Sequence, residues 1–332
     1  MNTLTENKIH LHKKFWQKKL DKAMKGIFSN YTEPYQFPAI DIELSSEDIF
    51  RKNLFRIANF SEEDDRIASF LVNFGPSFLP ALAGAKFEWD KNTSWAHPIE
   101  FTNITELKIE NFNPETKLWQ FYEEKFLTIQ ERNTDWMMSI CDMVGPFDIL
   151  AGIIGTERLC IEMFENPDEV KRLASEAVKF WLQVYEKQYS ILQEKHGTTD
   201  VFGLYMPGKG ARWSEDFIAL ISPEMYEEFV FECDIELAKS LDTSYIHVHS
   251  AALSSIDIIS KNPYLSGIEI SNDPNGPELE ELIKVGKKVV DSGKSLMMSN
   301  WQKDLSIKEI ESIFNSIPNH SLIVTYEIPK KN

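Results

Sequence analysis

The chain has 332 residues, with 35 lysines and arginines against 52 aspartates and glutamates, so its formal charge is -17 when the seven histidines are neutral. A protein that binds nucleic acid needs clustered positive charge to displace counterions from phosphates, and this balance excludes that class. Hydrophobic residues make up 42% of the chain and charged residues 26%, which is typical of a folded globular protein. We therefore expect a small molecule or another protein as the partner.

The N-terminal segment predicts a helix that packs on the rest of the chain. Apolar residues recur among lysines at a helical spacing over residues 9–27: Leu11, Phe15, Leu20, Met24 and Ile27. The segment lacks the apolar stretch and cleavage site of a secretory signal, and no apolar run reaches the roughly 20 residues of a membrane helix. We expect a helical extension over residues 1–65 and no membrane partner.

The cysteines favour a reducing compartment. Cys141, Cys160 and Cys233 form no paired framework, which indicates a cytoplasmic protein.

From residue 66 to residue 332, short apolar or β-branched runs alternate with helical segments. Seven runs have the length of strands: residues 70–74, 136–140, 201–205, 245–249, 267–270, 295–300 and 322–326. The eighth strand lies either at residues 106–111 or before residue 70. Helix start signals follow several runs, since Asn166-Pro167 and Ser222-Pro223 each combine a capping residue with proline. Two further helices are predicted at residues 277–293, ending at Gly293, and 306–317.

Strands that alternate with helices, without a long linker, predict a parallel sheet with crossover helices. The strand count favours an α/β fold of the closed (β/α)8 type, a TIM barrel with an N-terminal helical extension. Glycine-rich phosphate-binding sequences of the usual spacing are absent. The nearest segment, PGKGAR at residues 207–212, predicts a flexible loop.

In a parallel barrel the reactive groups lie where strands end. His247 and His249 stand two residues apart on one predicted strand, so their side chains project to the same side, roughly 6–7 Å apart at Cα. Two such imidazoles can converge on one metal ion. Zinc requires three or four ligands, however, so the alternative is one functional histidine whose neighbour only bonds a serine or the backbone.

Other strand ends offer carboxylates. Glu327 is the candidate third metal ligand, because a carboxylate oxygen binds zinc, although it could equally pair with a lysine. Glu269 and Asp142 are the candidate catalytic residues. Glu269 could donate or accept a proton, provided that burial raises its pKa.

Aromatic and amide side chains near strand ends are candidates for binding substrate: Trp136, Tyr205, Trp213, Asn300, Trp301 and Tyr326. Most aromatic residues belong to protein cores, but Trp213 and Trp301 are predicted in polar loops, where a large ring forms a pocket wall. Cys141 has no basic neighbour in the sequence and is predicted to be a buried, inert thiol. A GxSxG elbow is absent, which leaves nucleophilic acyl chemistry unsupported.

Several short pieces occur in one order along the chain: Gly145–Ala151, Ile154-Gly155, Glu165–Val170, Asp216, Ile221–Tyr226, His247–His249 and Tyr326–Pro329. Together they resemble the uroporphyrinogen decarboxylase superfamily, which also contains corrinoid-dependent methyltransferases. The resemblance runs from about residue 70 to the end of the chain. It implies a (β/α)8 barrel with its pocket at the C-terminal ends of the strands.

In the methyltransferase branch, the resemblance implies a zinc site made of a His-x-Cys pair and a late cysteine. Here His247 matches the first ligand, His249 occupies the cysteine position, and Tyr326 stands where the late cysteine would be. Both sulfur ligands are absent. Imidazole and carboxylate leave zinc a stronger Lewis acid than thiolates do, which favours departure of a methoxy or folate-type leaving group over activation of a thiol.

The resulting expectation is a zinc-dependent methyltransferase that exchanges a methyl group between a small substrate and a corrinoid (cobalamin) carried by a partner protein. The runner-up is decarboxylation of a porphyrinogen, although Arg51, Arg56 and Arg66 are scattered and the chain lacks an arginine-rich N-terminal segment. A barrel that binds a small molecule without catalysis is the third alternative. Two copies of such a chain could also pair as a homodimer.

Overall fold

A computed structural model describes residues 3–28, 45–58, 60–61, 63–89, 94–133, 136–193, 196–300 and 305–327. It shows a mixed α/β protein. The strands are β1 (Met24–Phe28), β2 (Ser69–Phe70), β3 (Lys86–Trp89), β4 (Ser94–His97), β5 (Met137–Met138), β6 (Gly197–Thr199), β7 (Tyr205–Pro207), β8 (Gly210–Ser214), β9 (Thr243–His249), β10 (Gly267–Ser271), β11 (Ser295–Ser299) and β12 (Leu322–Glu327).

The helices are α1 (Thr3–Trp16), α2 (Ser46–Ala58), α3 (Phe78–Leu82), α4 (Lys117–Arg132), α5 (Pro146–Ile154), α6 (Thr156–Glu165), α7 (Pro167–Ile191), α8 (Pro223–Met225), α9 (Phe231–Lys239), α10 (Ile256–Ile259), α11 (Leu279–Asp291) and α12 (Ile307–Ser316). A π-helical turn, Tyr226–Val230, joins α8 to α9, and short 3-10 helices include Asp216–Leu220 and Ser250–Ser255. None of the described helices is long and apolar enough to cross a membrane.

The main sheet has six parallel strands in the order β1-β12-β11-β10-β9-β8. Two further contacts extend the parallel arrangement: β2 pairs with β5, and a parallel bridge joins Val144 to Ser214 at the end of β8. The antiparallel pairs β3-β4 and β6-β7 form two hairpins. Parallel neighbours of this kind need crossover helices, and α11 and α12 supply them between β10, β11 and β12.

Side chains alternate between two faces of the sheet. On the outer face, aliphatic residues such as Val248, Ile270 and Val324 pack in one core with residues of the crossover helices, including Val289 and Ile313. On the inner face, a second core gathers side chains near the strand starts: Met24, Leu71, Tyr245, Met297 and Ile323, with Phe15 and Leu20 from the N-terminal segment. Towards the strand ends the inner face becomes polar.

Most predicted elements are confirmed. β9, β10, β11 and β12 coincide with four predicted strands, and α7, α11 and α12 lie where the capping signals place them. Gly293 follows α11 with φ of 84°, a left-handed conformation that favours glycine after a helix.

The predicted helix over residues 9–27 is wrong beyond Trp16. Lys18 adopts a φ of 58°, which ends the helix, and Met24–Phe28 pairs in parallel with β12. This segment is the strand that was predicted before residue 70, so residues within 1–65 supply part of the sheet. The alternative position, 106–111, forms no strand. It lies along α7, where Arg172 donates to the Leu107 carbonyl and Glu176 accepts from the Ile109 amide.

The prediction of a strand at residues 201–205 is also wrong, and the strand of the main sheet lies at Gly210–Ser214 instead. Asp200 accepts the backbone amides of Phe202 and Leu204 at 2.9 Å each, and Gly203 has φ of 84°, so the segment turns between β6 and β7. It is apolar because it packs into the inner-face core. Residues 210–214, predicted as part of a flexible loop and its continuation, form the buried strand β8.

His12 joins α1 to the β6-β7 hairpin, and its burial predicts a pH-dependent stability. Its buried ring accepts the Tyr205 amide at Nδ1 and bonds the Asp65 carbonyl through Nε2, both at 2.9 Å. Burial lowers the pKa of His12 from 6.5 to about 4. The unfolded chain therefore binds the extra proton first, and stability falls as pH drops from about 6.5 towards 4. At 1.36 kcal/mol per pKa unit, the loss is about 3 kcal/mol.

Urea unfolding at several pH values checks this expectation. His12→Gln should flatten the stability curve between pH 6.5 and 4, whereas His10→Gln, at an exposed position of the same helix, should leave it unchanged. Equal slopes for the wild-type chain and His12→Gln would show that the pKa of His12 does not change on folding and would contradict this expectation.

Candidate metal site

Two histidines face each other at the end of β9. Alternation along the strand places His247 and His249 on the inner face, and their rings lie 5.0 Å apart between centroids, almost perpendicular. His247 is 5% exposed, while the His249 side chain is 29% exposed. The pair therefore lies between the buried interior and an accessible space.

The third member of the group is Asp216, the residue that opens the 3-10 helix after β8. Its Oδ1 lies 3.4 Å from Nε2 of His249 and 4.0 Å from Nε2 of His247. One ligand atom from each of the three residues lies within 4.8 Å of the other two. The Asp216 side chain is 51% exposed, so the group opens towards solvent on the side of Asp216.

Each imidazole has its second nitrogen against a carboxylate. Nδ1 of His249 lies 2.9 Å from Oδ1 of Asp273. Nδ1 of His247 lies 3.0 Å from Oε2 of Glu269, although the two atoms do not form a hydrogen bond. Glu269 lies within β10 and Asp273 comes two residues after its end, and β10 is adjacent to β9. This arrangement directs the two Nε2 atoms towards Asp216.

The carboxylates beside His249 determine its charge. Hydrogen bonding to Asp216 and to Asp273 raises the pKa of His249 to about 10. Burial alone would raise the pKa values of the two carboxyls, but the hydrogen bond from His249 outweighs it and lowers both. Without a metal ion, His249 is therefore an imidazolium between two carboxylates at neutral pH.

A buried ion layer lies below the histidines. Arg212, on the inner face of β8, donates from Nε to Oε2 of Glu269 at 2.9 Å and from Nη1 to Oδ1 of Asp142 at 3.0 Å. Its guanidinium carbon lies 4.7 Å from the centre of the ring of Phe202, which belongs to the turn between β6 and β7. Burial would lower the pKa of Arg212, but Glu269 and Asp142 outweigh that effect and raise it.

The pKa values of the two candidate catalytic carboxylates shift in opposite directions. Burial would raise the pKa of Glu269, but His247 and Arg212 outweigh it and lower the value to about 2. The condition set for Glu269 as a proton donor, a raised pKa, is therefore not met, and Glu269 is an anion at neutral pH. Burial raises the pKa of Asp142, and Arg212 opposes the change. The inner face brings both residues to the candidate metal site through Arg212.

Backbone contacts hold Asp216 in place. The Asp148 carboxylate, at the start of α5, accepts the amides of Asp216 and Phe217 at 2.9 and 2.8 Å. Gly145 lies so close to the buried Glu215 that an added Cβ would be 2.2 Å from its Oε1. The conformation of this loop therefore depends on glycine at position 145.

Glu327, the predicted third ligand, is not a member of the group. It ends β12, and β10 and β11 separate it from β9. Among the described residues, Asp216 is the carboxylate that lies close to both histidines. Asn300 follows β11 and is buried, where it donates to the Thr325 carbonyl at 2.9 Å and accepts from Asn272 at 2.8 Å. Its role in the structure is to connect strand ends.

The predicted aromatic pocket walls lie elsewhere. Trp213 is within β8, not in a loop, and its fully buried outer-face indole donates to Asp234 at 2.8 Å. Tyr326 is also on the outer face, against Phe314 of α12. Successive side chains of a strand project to opposite faces of the sheet. Trp213 and Tyr326 therefore point away from the inner face, onto which their sequence neighbours project.

The remaining predicted aromatic residues do not join the group either. Trp136 precedes β5 and therefore lies at the opposite end of that strand from the site. Tyr205 begins β7, where its amide donates to His12 and its hydroxyl to the His196 carbonyl. Trp301 lies outside the described residues.

Sequence reasoning did not place Asp216 in the candidate group and did not single out Arg212 or Asp273. Asp273 follows the predicted strand at 267–270 by three residues, so a wider search of strand ends would have found it. Asp216 and Arg212 belong to β8 and its end, and they were missed because that strand was predicted as a loop.

Comparisons with known proteins add a fold assignment. A scan of protein-family models and a search of curated proteins both find no match. Among solved structures, a methyltransferase from Methanosarcina mazei is similar, with a TM-score of 0.68 and 12% sequence identity. The match covers 98% of this chain and 94% of that one. The two chains therefore share a fold over nearly their whole length.

The contact between His249 and Asp273 predicts a measurable change in pKa. Asp273→Asn removes one neighbouring negative charge and should lower the pKa of His249 from about 10 by about one to three units. An NMR titration of the imidazole Cε1–H signals in metal-free protein measures it. Ser271→Ala, which removes only a neutral donor to Asp273, serves as the control. An unchanged pKa in Asp273→Asn would contradict the proposed cause.

Proposed function

We propose that this protein is a zinc-dependent methyltransferase of the uroporphyrinogen decarboxylase-like type, which exchanges a methyl group between a small substrate and a corrinoid on a partner protein. The observation that carries the proposal is the convergence of His247, His249 and Asp216 within 4.8 Å at the ends of parallel strands. The fold shared with a methyltransferase supports the reaction class.

The proposed architecture is a closed (β/α)8 barrel. Parallel neighbours run from β1 through β12, β11, β10 and β9 to β8, and the Val144–Ser214 bridge and the β5-β2 pair continue the circuit. These are eight strands, with β1 and β2 at the two ends. Arg66, just before β2, donates to the Ile27 carbonyl in β1 at 2.9 Å, which supports closure at this point. A pocket at the strand ends suits such a barrel.

The residues fit a divalent metal ion. Two imidazole nitrogens and one carboxylate oxygen form a ligand set that binds catalytic zinc while leaving a position for substrate. His247 and His249 would bind through Nε2, because Glu269 and Asp273 occupy the neighbourhood of Nδ1. Such outer carboxylates orient metal-binding histidines and raise their basicity. Asp216, half-exposed, would complete the set at the solvent side.

Bound at this site, zinc would supply Lewis-acid polarisation of a substrate oxygen. The protein's own groups perform the remaining tasks. Asp216 and Asp273 stabilise the protonated form of His249, so that proton would have to be displaced before Nε2 could act as a ligand. Glu269 and Arg212 place an ion pair beside His247 that is buried from solvent. Cys141 is fully buried against Gln188, so it offers no thiolate, and a methoxy or similar oxygen leaving group suits this site better than a thiol.

Arg51, Arg56 and Arg66 argue against decarboxylation of a porphyrinogen, the runner-up function. Arg66 pairs with Asp64 at 2.7 Å, and Arg56 donates to the Ser69 carbonyl. Arg51 is exposed and pairs with Glu47. Each of these three arginines already has a partner within the protein, whereas a porphyrinogen carries several carboxylates that would need cationic partners of their own.

Metal analysis tests the proposed ligands. The wild-type chain should bind about one zinc ion, and a His247→Ala, His249→Ala double variant should bind none. Asp216→Asn should weaken zinc binding by more than the roughly 10- to 100-fold cost of losing an outer hydrogen bond, while Glu327→Gln should bind zinc normally. Competition with a coloured chelator provides the affinities. Unchanged zinc affinity in Asp216→Asn, together with weakened zinc affinity in Glu327→Gln, would identify Glu327 as the ligand instead.

Methyl transfer to cobalt tests the reaction. Zinc-loaded protein, incubated with cob(I)alamin and an aryl methyl ether, should form methylcobalamin, which has a distinct absorbance spectrum. The double histidine variant should reduce the rate at least about 100-fold, and Glu327→Gln should not, because only the former removes the Lewis acid. Equal rates in the double variant and the wild-type chain would contradict a metal-dependent transfer.

A further inference from the structure

The ion layer below the histidines is more elaborate than packing requires. Arg212, Asp142 and Glu269 are at most 6% exposed, and burying three charges is costly unless they are well paired. An apolar layer of similar volume would stabilise the fold at least as well. The position of the layer, directly below His247, suggests a reason for keeping it.

The layer reaches His247 through a single atom. Oε2 of Glu269 lies 2.9 Å from Nε of Arg212 and 3.0 Å from Nδ1 of His247. The other oxygen, Oε1, is buried and has no hydrogen-bond partner among the described residues. The hydrogen bond from Arg212 therefore sets the orientation of the carboxylate, and this orientation places Oε2 beside Nδ1 of His247.

Arg212 is itself held from three sides. Glu269 on β10 and Asp142 after β5 accept from two different nitrogens, and the Phe202 ring lies against the guanidinium. A planar guanidinium can bind carboxylates on two strands at once, whereas a lysine ammonium on its flexible stem cannot keep that geometry. Arginine at this position thus fixes Glu269 relative to β9.

We propose that Arg212 is a positioning residue for the metal site: by orienting Glu269 it keeps a carboxylate oxygen 3.0 Å from Nδ1 of His247, which favours the tautomer with its proton on Nδ1 and leaves Nε2 directed at Asp216. The proposal rests on the metal-dependent function proposed above. It adds a residue that touches neither metal nor substrate, and it predicts that metal affinity depends on a buried arginine one layer below the ligands.

The first test uses metal-free protein with 15N-labelled histidine. At a pH where the 15N shifts themselves report an uncharged imidazole, His247 should show a protonated Nδ1 and an unprotonated Nε2 in the wild-type chain. In Glu269→Gln and in Arg212→Lys the two nitrogens should move towards intermediate shifts, because the tautomers mix. A His247 that keeps its wild-type shifts in both variants would overturn the proposal, whether or not the protein binds metal.

The second test is Zn2+ affinity, measured by competition with a chelator. Arg212→Lys and Glu269→Gln should each weaken binding about 10- to 100-fold, as loss of an outer hydrogen-bond partner does. Arg66→Lys is the matched control, because Arg66 is also a buried arginine paired with a carboxylate, Asp64, but it has no contact with His247 or His249. Its Zn2+ affinity should stay within about twofold of the wild-type value.

Asp142→Asn keeps the test decisive if Arg212→Lys fails to fold. It preserves the shape of the side chain and removes one of the two charges that hold Arg212, so it should weaken Zn2+ binding by less than Glu269→Gln does. Unchanged Zn2+ affinity in both Asp142→Asn and Glu269→Gln would overturn the positioning role. Absence of Zn2+ binding by the wild-type chain would instead contradict the proposed function and leave the tautomer test to judge Arg212.

Discussion

The arrangement of the candidate site depends on one oxygen atom, Oε2 of Glu269. Arg212 and His247 share it, so it connects the buried ion layer to the histidine pair. Both β8 and β10 are neighbours of β9 in the parallel sheet, and this adjacency brings the three side chains together. If the strand order were different, the same residues would not meet.

The inner face consists of three layers with different physical roles. Apolar side chains near the strand starts, together with the turn between β6 and β7, form the lowest layer and exclude water. Arg212, Asp142 and Glu269 form the middle layer, where low exposure strengthens each ion pair and also makes any unpaired charge expensive. Asp216, His249 and Asp273 form the outer layer, where partial exposure admits a ligand. The charged groups of the candidate site thus lie above the apolar layer, towards the strand ends.

The sequence predicted regular elements better than the site. Strong β patterns such as 245–249 and 322–326 are apolar on both faces or alternate cleanly, and both were predicted correctly. β8 was missed because its inner-face residues are Gly210, Arg212 and Ser214, which lack the apolar signal of a strand. The apolar segment at 201–205 was mistaken for a strand because burial of a turn produces the same composition.

The site shows the same division. The His-x-His spacing could be predicted to place two rings on one face, because alternation is a local property of a strand. Asp216 is 31 residues before His247 in the printed sequence, and only the pairing of β8 with β9 brings it close. Choosing Glu327 as the third ligand required knowledge of strand order that no local pattern supplies. Arg212 and Asp142 likewise meet through tertiary contacts alone.

X-ray absorption spectroscopy of the zinc-loaded protein would test the central claim most directly. Our account predicts a first shell of nitrogen and oxygen only, with the multiple-scattering signature of two imidazoles, and loss of one oxygen contribution when Asp216 is replaced by alanine. A sulfur ligand in the first shell, or a spectrum that does not change in that variant, would contradict the ligand set on which the proposed function rests.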